Sequence, residues 1–159
     1  MQFSGRISGL QMYGAPQRGQ ESYDSSVRSF ARRGLPEPSG YGELALREHN
    51  QIRGNDFTDT ELVQVFFRFG VDLTAQKLPA REDYLYLPDA ETAVLRAVAS
   101  LEGNPTEVAD SARDFLIDTL KHEVGRGQRQ LLINPKDYER RKVVSPHVLL
   151  AIELMGKYR

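Results

Sequence analysis

The 159-residue chain contains no cysteine and no tryptophan. Without thiols there is no disulfide scaffold, no cysteine nucleophile, no Cys-ligated zinc and no iron–sulfur cluster. Long hydrophobic runs are missing too. None approaches the ~18–20 residues that cross a bilayer, and the N-terminal segment lacks the apolar core of a signal peptide. The expectation is a protein of the cytoplasm or of an assembled particle, without membrane insertion. Histidine is scarce: His49, His122 and His147 each stand outside any catalytic pattern. There is no Gly-x-Ser-x-Gly elbow, no Gly-Lys-Ser/Thr phosphate loop and no Gly-x-Gly-x-x-Gly fingerprint. Gly125-Arg126-Gly127 follows a predicted helix instead of opening one, so the helix dipole faces the wrong way to hold a phosphate. No catalytic residue, cofactor or metal ligand is assigned, and the reading is of a non-enzyme.

What is present suits one domain, with 40% hydrophobic and 27% charged residues. The net charge of -1 hides a strong asymmetry. Residues 1–55 carry +2, residues 56–120 carry -8 and residues 121–159 carry +5. An acidic middle followed by a basic end favours contact with surfaces of opposite charge.

Residues 1–41 read as an extended arm. Met1 to Gly40 hold six Gly, seven Ser and three Pro, and no period of 2 or 3.6 persists. Such a composition offsets little of its chain entropy by burial. One amphipathic stretch, residues 24–34, breaks the pattern. With Asp24 as its cap, Val27, Phe30 and Ala31 share a face, Arg28, Arg32 and Arg33 face water, and Gly34 ends the turn. A helix this short needs a partner to persist.

Residues 42–159 read as a single helical domain with a basic C-terminal part. A weak helix is expected from Glu43 to about Ile52. Thr58-Asp59-Thr60-Glu61 has the pattern of a capping box, and Leu62, Phe66, Phe69 and Leu73 follow at helical spacing. Tyr84 to Leu87 alternate as a short strand or connector. Pro88 opens a helix with Ala90, Val94, Ala97, Val98 and Leu101 inward. Asn104-Pro105 opens the next, with Val108, Ala112, Phe115, Leu116, Thr119 and Leu120 inward. Residues 125–129 read as a polar hinge, Asn134-Pro135 as the start of a short helix to Lys142, and Ser145-Pro146 as the start of the last helix. In that helix Val148, Leu149, Ile152 and Met155 form the apolar side. The expected fold class is mainly α, an irregular bundle of about four to five helices with an extended N-terminal arm.

Three sets of residues are candidate partner contacts: Val27, Phe30, Arg28, Arg32 and Arg33 in the arm; Asp110, Asp114 and Asp118 on one helix face with His122; and Arg140, Arg141 and Lys142. The carboxylates recur every four residues, a spacing that slightly disfavours the bare helix. That acidic face suits an Arg- or Lys-rich partner, a divalent metal or plain solvation. The function these features support is a structural or assembly subunit of a large complex, with a virus or phage particle as the setting. Its partners would be protein subunits, itself included, with acidic middle meeting basic end head-to-tail. The alternatives are a small nucleic-acid-binding or regulatory protein, using the basic end with Tyr138 and Tyr158 as stacking groups, and a secretion-system component or effector.

Overall fold

The computed structural model describes residues 1–16 and 19–159. Its opening residues are strand. β1 (Gln2–Ser8) lies parallel to β3 (Asp56–Val63), and β2 (Gln11–Tyr13) lies parallel to β4 (Phe66–Arg68). Residues 2–13 thus run alongside residues 56–68 as one kinked ribbon. At the kink the Gly9 amide donates to the Val63 carbonyl, and the Phe66 amide donates to that of Leu10.

This overturns the expected helix over 58–73. The segment is rich in β-branched and aromatic residues, which fit a pleated, half-buried surface. Its Thr-x-x-Glu pattern caps nothing. The Thr58 amide and hydroxyl both donate to Asp56, and the Thr60 hydroxyl donates to the Phe57 carbonyl. Gln64 (φ 53°) and Phe69 (φ 56°) take left-handed conformations that no continuous helix tolerates. The apolar stripe, too broad for one helix face, belongs to two strands and the link between them: Phe57 and Leu62 of β3, Val65 of the link and Phe67 of β4 are buried.

Three of the four helices expected in the second half of the chain form. β5 (Leu85–Leu87) leads into α3 (Ala90–Ser100), capped by Asp89 accepting from the Thr92 amide. α4 (Glu107–His122) is capped by Thr106, two residues beyond the expected Asn104. α5 (Pro146–Lys157) begins at Pro146 as expected. Six alanines, among them Ala93, Ala97, Ala112 and Ala151, are completely buried, which lets the three helices approach closely. Arg113 of α4 donates to the Leu101 carbonyl at 2.8 Å and so finishes the C-terminus of α3. Val108 and Leu149, expected inward, are 41% and 49% exposed.

β6 (Leu131–Ile133) pairs antiparallel with β5. A single 3₁₀ turn, Pro135–Tyr138, replaces the expected helix to Lys142, and β7 (Glu139–Arg140) and β8 (Val143–Val144) follow as a tight hairpin. The chain is 41% helix and 20% strand, a mixed α/β fold and not a mainly α one.

Two apolar clusters result. One gathers α3, α4, α5, β5 and β6; the other gathers Phe57, Leu62, Val65, Phe67, Val71, Leu73 and Tyr84, with Phe3 stacked on Phe57 at 5.0 Å. Side-chain amides join them. Gln128, expected in a flexible hinge, is fully buried. Its Oε1 accepts from the Gly70 and Val71 amides, and its Nε2 donates to the Val71 and Gln130 carbonyls. Asn134 Nδ2 donates to the Leu62 carbonyl, and Gln130 Oε1 accepts from the Leu73 amide. These bonds satisfy backbone groups that the short strands leave unpaired.

α1 (Gln20–Arg32) and α2 (Tyr41–Ala45) lie between β2 and β3. The excursion that holds them is pinned at its base, where the Asn50 amide donates to the Gly14 carbonyl at 2.7 Å. Neither helix has a buried residue, and neither contributes to either cluster.

Candidate functional site

Two regions carry the candidate contacts: this outer helix pair and a cleft beside α4. In the pair, Tyr23 stacks on Tyr41 at 5.8 Å and Phe30 meets the same ring edge-on at 5.4 Å. The Tyr23 hydroxyl donates to Glu37 Oε1 at 2.9 Å, and this carboxylate holds the Tyr23 pKa above its ordinary value. Val27 and Phe30 are half-buried, while Arg28, Arg32 and Arg33 are exposed along the outside. The helix begins at Gln20 with Gly19 as its N-terminal flank, so Asp24 sits inside it and accepts from Gln20 Nε2. Leu35, Leu44 and Leu46 are exposed by 53%, 59% and 40% on the same excursion.

The cleft has a volume of about 320 Å³. β4 supplies Phe66, Phe67 and Arg68; α4 supplies Phe115, Asp118, Thr119 and His122, with Glu123 next; and Leu131 to Ile133, Asp137 and Tyr138 close the third side. Phe115 and Tyr138 meet edge to face at 5.2 Å. The Arg68 guanidinium lies 5.0 Å from the centre of the Phe66 ring and pairs with Glu123 at 2.9 Å. Arg68 Nε is buried without an acceptor. Burial raises the Glu123 pKa against the pull of Arg68 and Arg126, and it raises Asp137 against the Gln64 amide that donates to it. Burial also pushes the Tyr138 hydroxyl up to about 12. The cleft thus holds three carboxylates between aromatic walls: Glu123 paired with Arg68, Asp137 accepting from the Gln64 amide, and Asp118 at the rim beside His122.

No family model, curated protein or solved structure matches this chain.

Of the expected acidic row, Asp110 pairs with Arg113 at 2.8 Å, Asp114 is exposed, and Asp118 reaches the cleft rim with His122 at 3.8 Å. Among the described residues, no three His, Asp or Glu groups come close enough to hold a metal ion.

Arg140, Arg141 and Lys142 occupy the β7–β8 hairpin and are exposed, not on a helix as expected. Within the basic end, Lys136 is already engaged by acids. Lys136 is paired with Glu61 at 3.0 Å and lies 3.6 Å from Asp83. Tyr138, expected as a stacking group, is engaged by Phe115 in the cleft wall.

The sequence pointed to Asp118 but not to Arg68, Glu123 or Asp137, which come from three separated segments. The one available signal was Arg68 standing alone among Phe66, Phe67 and Phe69, since a charge in so apolar a stretch must find a buried partner.

Proposed function

We propose that this chain is a non-enzymatic assembly subunit of a larger protein complex, which it joins through the outer helix pair. The observation that carries the reading is that α1 and α2 sit outside both apolar clusters with no buried residue. A thirteen-residue helix gains little from its own hydrogen bonds in water, and Ser22, Ser25, Ser26 and Ser29 give this one no propensity advantage. Its amphipathic face and the exposed leucines beside it are what a partner protein would bury. Arg28, Arg32 and Arg33 would flank that contact and select an acidic neighbour.

A particle of the virus or phage type is the setting proposed, because an outer helix pair outside both apolar clusters is suited to tie one subunit to its neighbour. Nucleic acid is the weaker reading here, with Tyr138 occupied and Lys136 neutralised by acids.

The test is sedimentation of extracts from the organism that encodes the chain, with and without nuclease. The expected result is migration in a large nuclease-resistant particle, from which a Val27→Asp, Phe30→Asp double variant is released. Neither side chain belongs to a core cluster, so the variant should keep its fold, which circular dichroism checks. A wild-type chain that runs small, or is freed by nuclease, would overturn the reading.

A further inference from the structure

We infer that the cleft beside α4 receives the Arg141–Lys142 tip of the hairpin from a second copy of this chain, in a two-fold exchange of tips. The inference rests on the assembly reading only in making self-association part of this chain's role.

The cleft is built for an organic cation. Glu123 is matched by Arg68, which leaves Asp118 at the rim and Asp137 inside without a lysine or arginine partner, with only His122 beside Asp118. Phe115 and Tyr138 add ring surfaces that attract cations. Phe66 already carries the Arg68 guanidinium at 5.0 Å, so one wall shows the mode of recognition. A volume of about 320 Å³ is at the small end for ligand sites. It admits one long side chain, not a helix or a strand.

The hairpin is shaped to deliver such a side chain. Its two-residue turn holds Arg141 at φ 52° and Lys142 at φ 66°. Two left-handed positions in succession belong to the turn type that favours Asn-Gly. Placing Arg and Lys there is strained, and strain of this kind marks positions kept for another purpose. Both side chains are exposed, and among the described residues neither they nor Arg140 make an ion pair.

Neighbourhood decides the symmetry. Asp137 and Tyr138 line the cleft, and Arg140 follows Tyr138 by two residues, at most about 7 Å along the chain. Donor tip and acceptor cleft therefore lie side by side. Where complementary patches adjoin, a two-fold axis between two copies satisfies both at once and closes the assembly.

The experiment is sedimentation equilibrium of the purified full chain over a wide concentration range, in low and high salt. The expected result is a monomer–dimer equilibrium that stops at the dimer and weakens tenfold or more in high salt. Arg141→Glu with Lys142→Glu, and separately Asp118→Lys, should each weaken the dimer by tenfold or more. All three positions are exposed, so folding is not at stake. An equimolar mixture of the two variants should restore the dimer, because reversed tip meets reversed cleft. A wild type that stays monomeric, a dimer insensitive to both reversals, or an open ladder of larger species would overturn the exchange. None of these outcomes touches the outer helix pair, whose Val27→Asp, Phe30→Asp variant tests the assembly reading by itself.

Discussion

Gln128 does with one side chain what a neighbouring strand would do. It is completely buried, and its amide exchanges four hydrogen bonds with Gly70, Val71 and Gln130. Replacing it by leucine keeps the approximate volume but leaves two backbone amides and two carbonyls without their partner, those of Val71 buried away from water. Each loss of that kind costs about 1–3 kcal/mol. Gln128→Leu should lower stability by about 3 kcal/mol or more, read as a shifted urea midpoint.

Gly14 is equally constrained by space. A Cβ there would lie 2.4–2.6 Å from backbone atoms of Phe69, Gly70 and Val71. Gly14→Ala should push β2 off β4 and expose the β4 amides to hydrogen exchange, while α3 to α5 keep their protection.

Asp56 sets an acid limit on the ribbon. Lys77 at 2.9 Å, then the Thr58 hydroxyl and amide, hold its pKa at about 2, below the ordinary 3.8. A carboxylate depressed by folding adds stability above its unfolded pKa, and this is lost as pH falls through the folded value. The urea midpoints of wild type and Asp56→Asn should differ at pH 7 and converge between about pH 4 and pH 2. A difference that persists at pH 2 would show the carboxylate's charge to be irrelevant.

At the scale of elements, what was readable followed from how local the signal is. The starts of α3, α4 and α5 are written within a few residues of themselves, in Asp89, Thr106 and Ser145-Pro146. Their inward alanines and leucines repeat at 3.6. Thr106→Ala should cost about 1 kcal/mol, the usual worth of such a cap. Sequence reading placed the cap at Asn104, so Asn104→Ala should cost much less; thermal melts of the two variants compare them directly.

The strands β1 to β4 were not readable because their hydrogen bonds come from about fifty residues away, whereas the alternation of Tyr84 to Leu87 did mark β5 as a short strand or connector. Nothing inside Asp56–Arg68 announces that Gln2–Tyr13 will lie along it, and a capping-box pattern outweighed the aromatic and β-branched composition. The hairpin failed for a related reason: Arg-Lys is no turn signature, so Arg140 to Lys142 read as helix surface. The cleft joins both failures, since it needs β4 as a strand and Asp137 on a 3₁₀ turn beside α4. Only Asp118, on a correctly read helix, could be anticipated.

At the scale of the whole molecule, the outer helix pair behaves as an insertion into an otherwise closed fold. Residues 2–13 are held by β3 and β4, and the excursion after them returns to its own base at Gly14 and Asn50. No residue of α1 or α2 supports either cluster, so local opening there should be nearly free of the global unfolding cost. Two consequences follow. In the isolated protein, amides of residues 20–45 should exchange with deuterium much faster than those of α3 to α5. Replacing residues 19–46 by a short Gly/Ser linker should leave the melting temperature within a few degrees of wild type, because shortening a closed loop lowers its closure entropy slightly. If the shortened chain unfolds, the helix pair is structural and the proposed docking role loses its basis. If it folds but is missing from the particle, the fold is a platform and the excursion is the part that assembles.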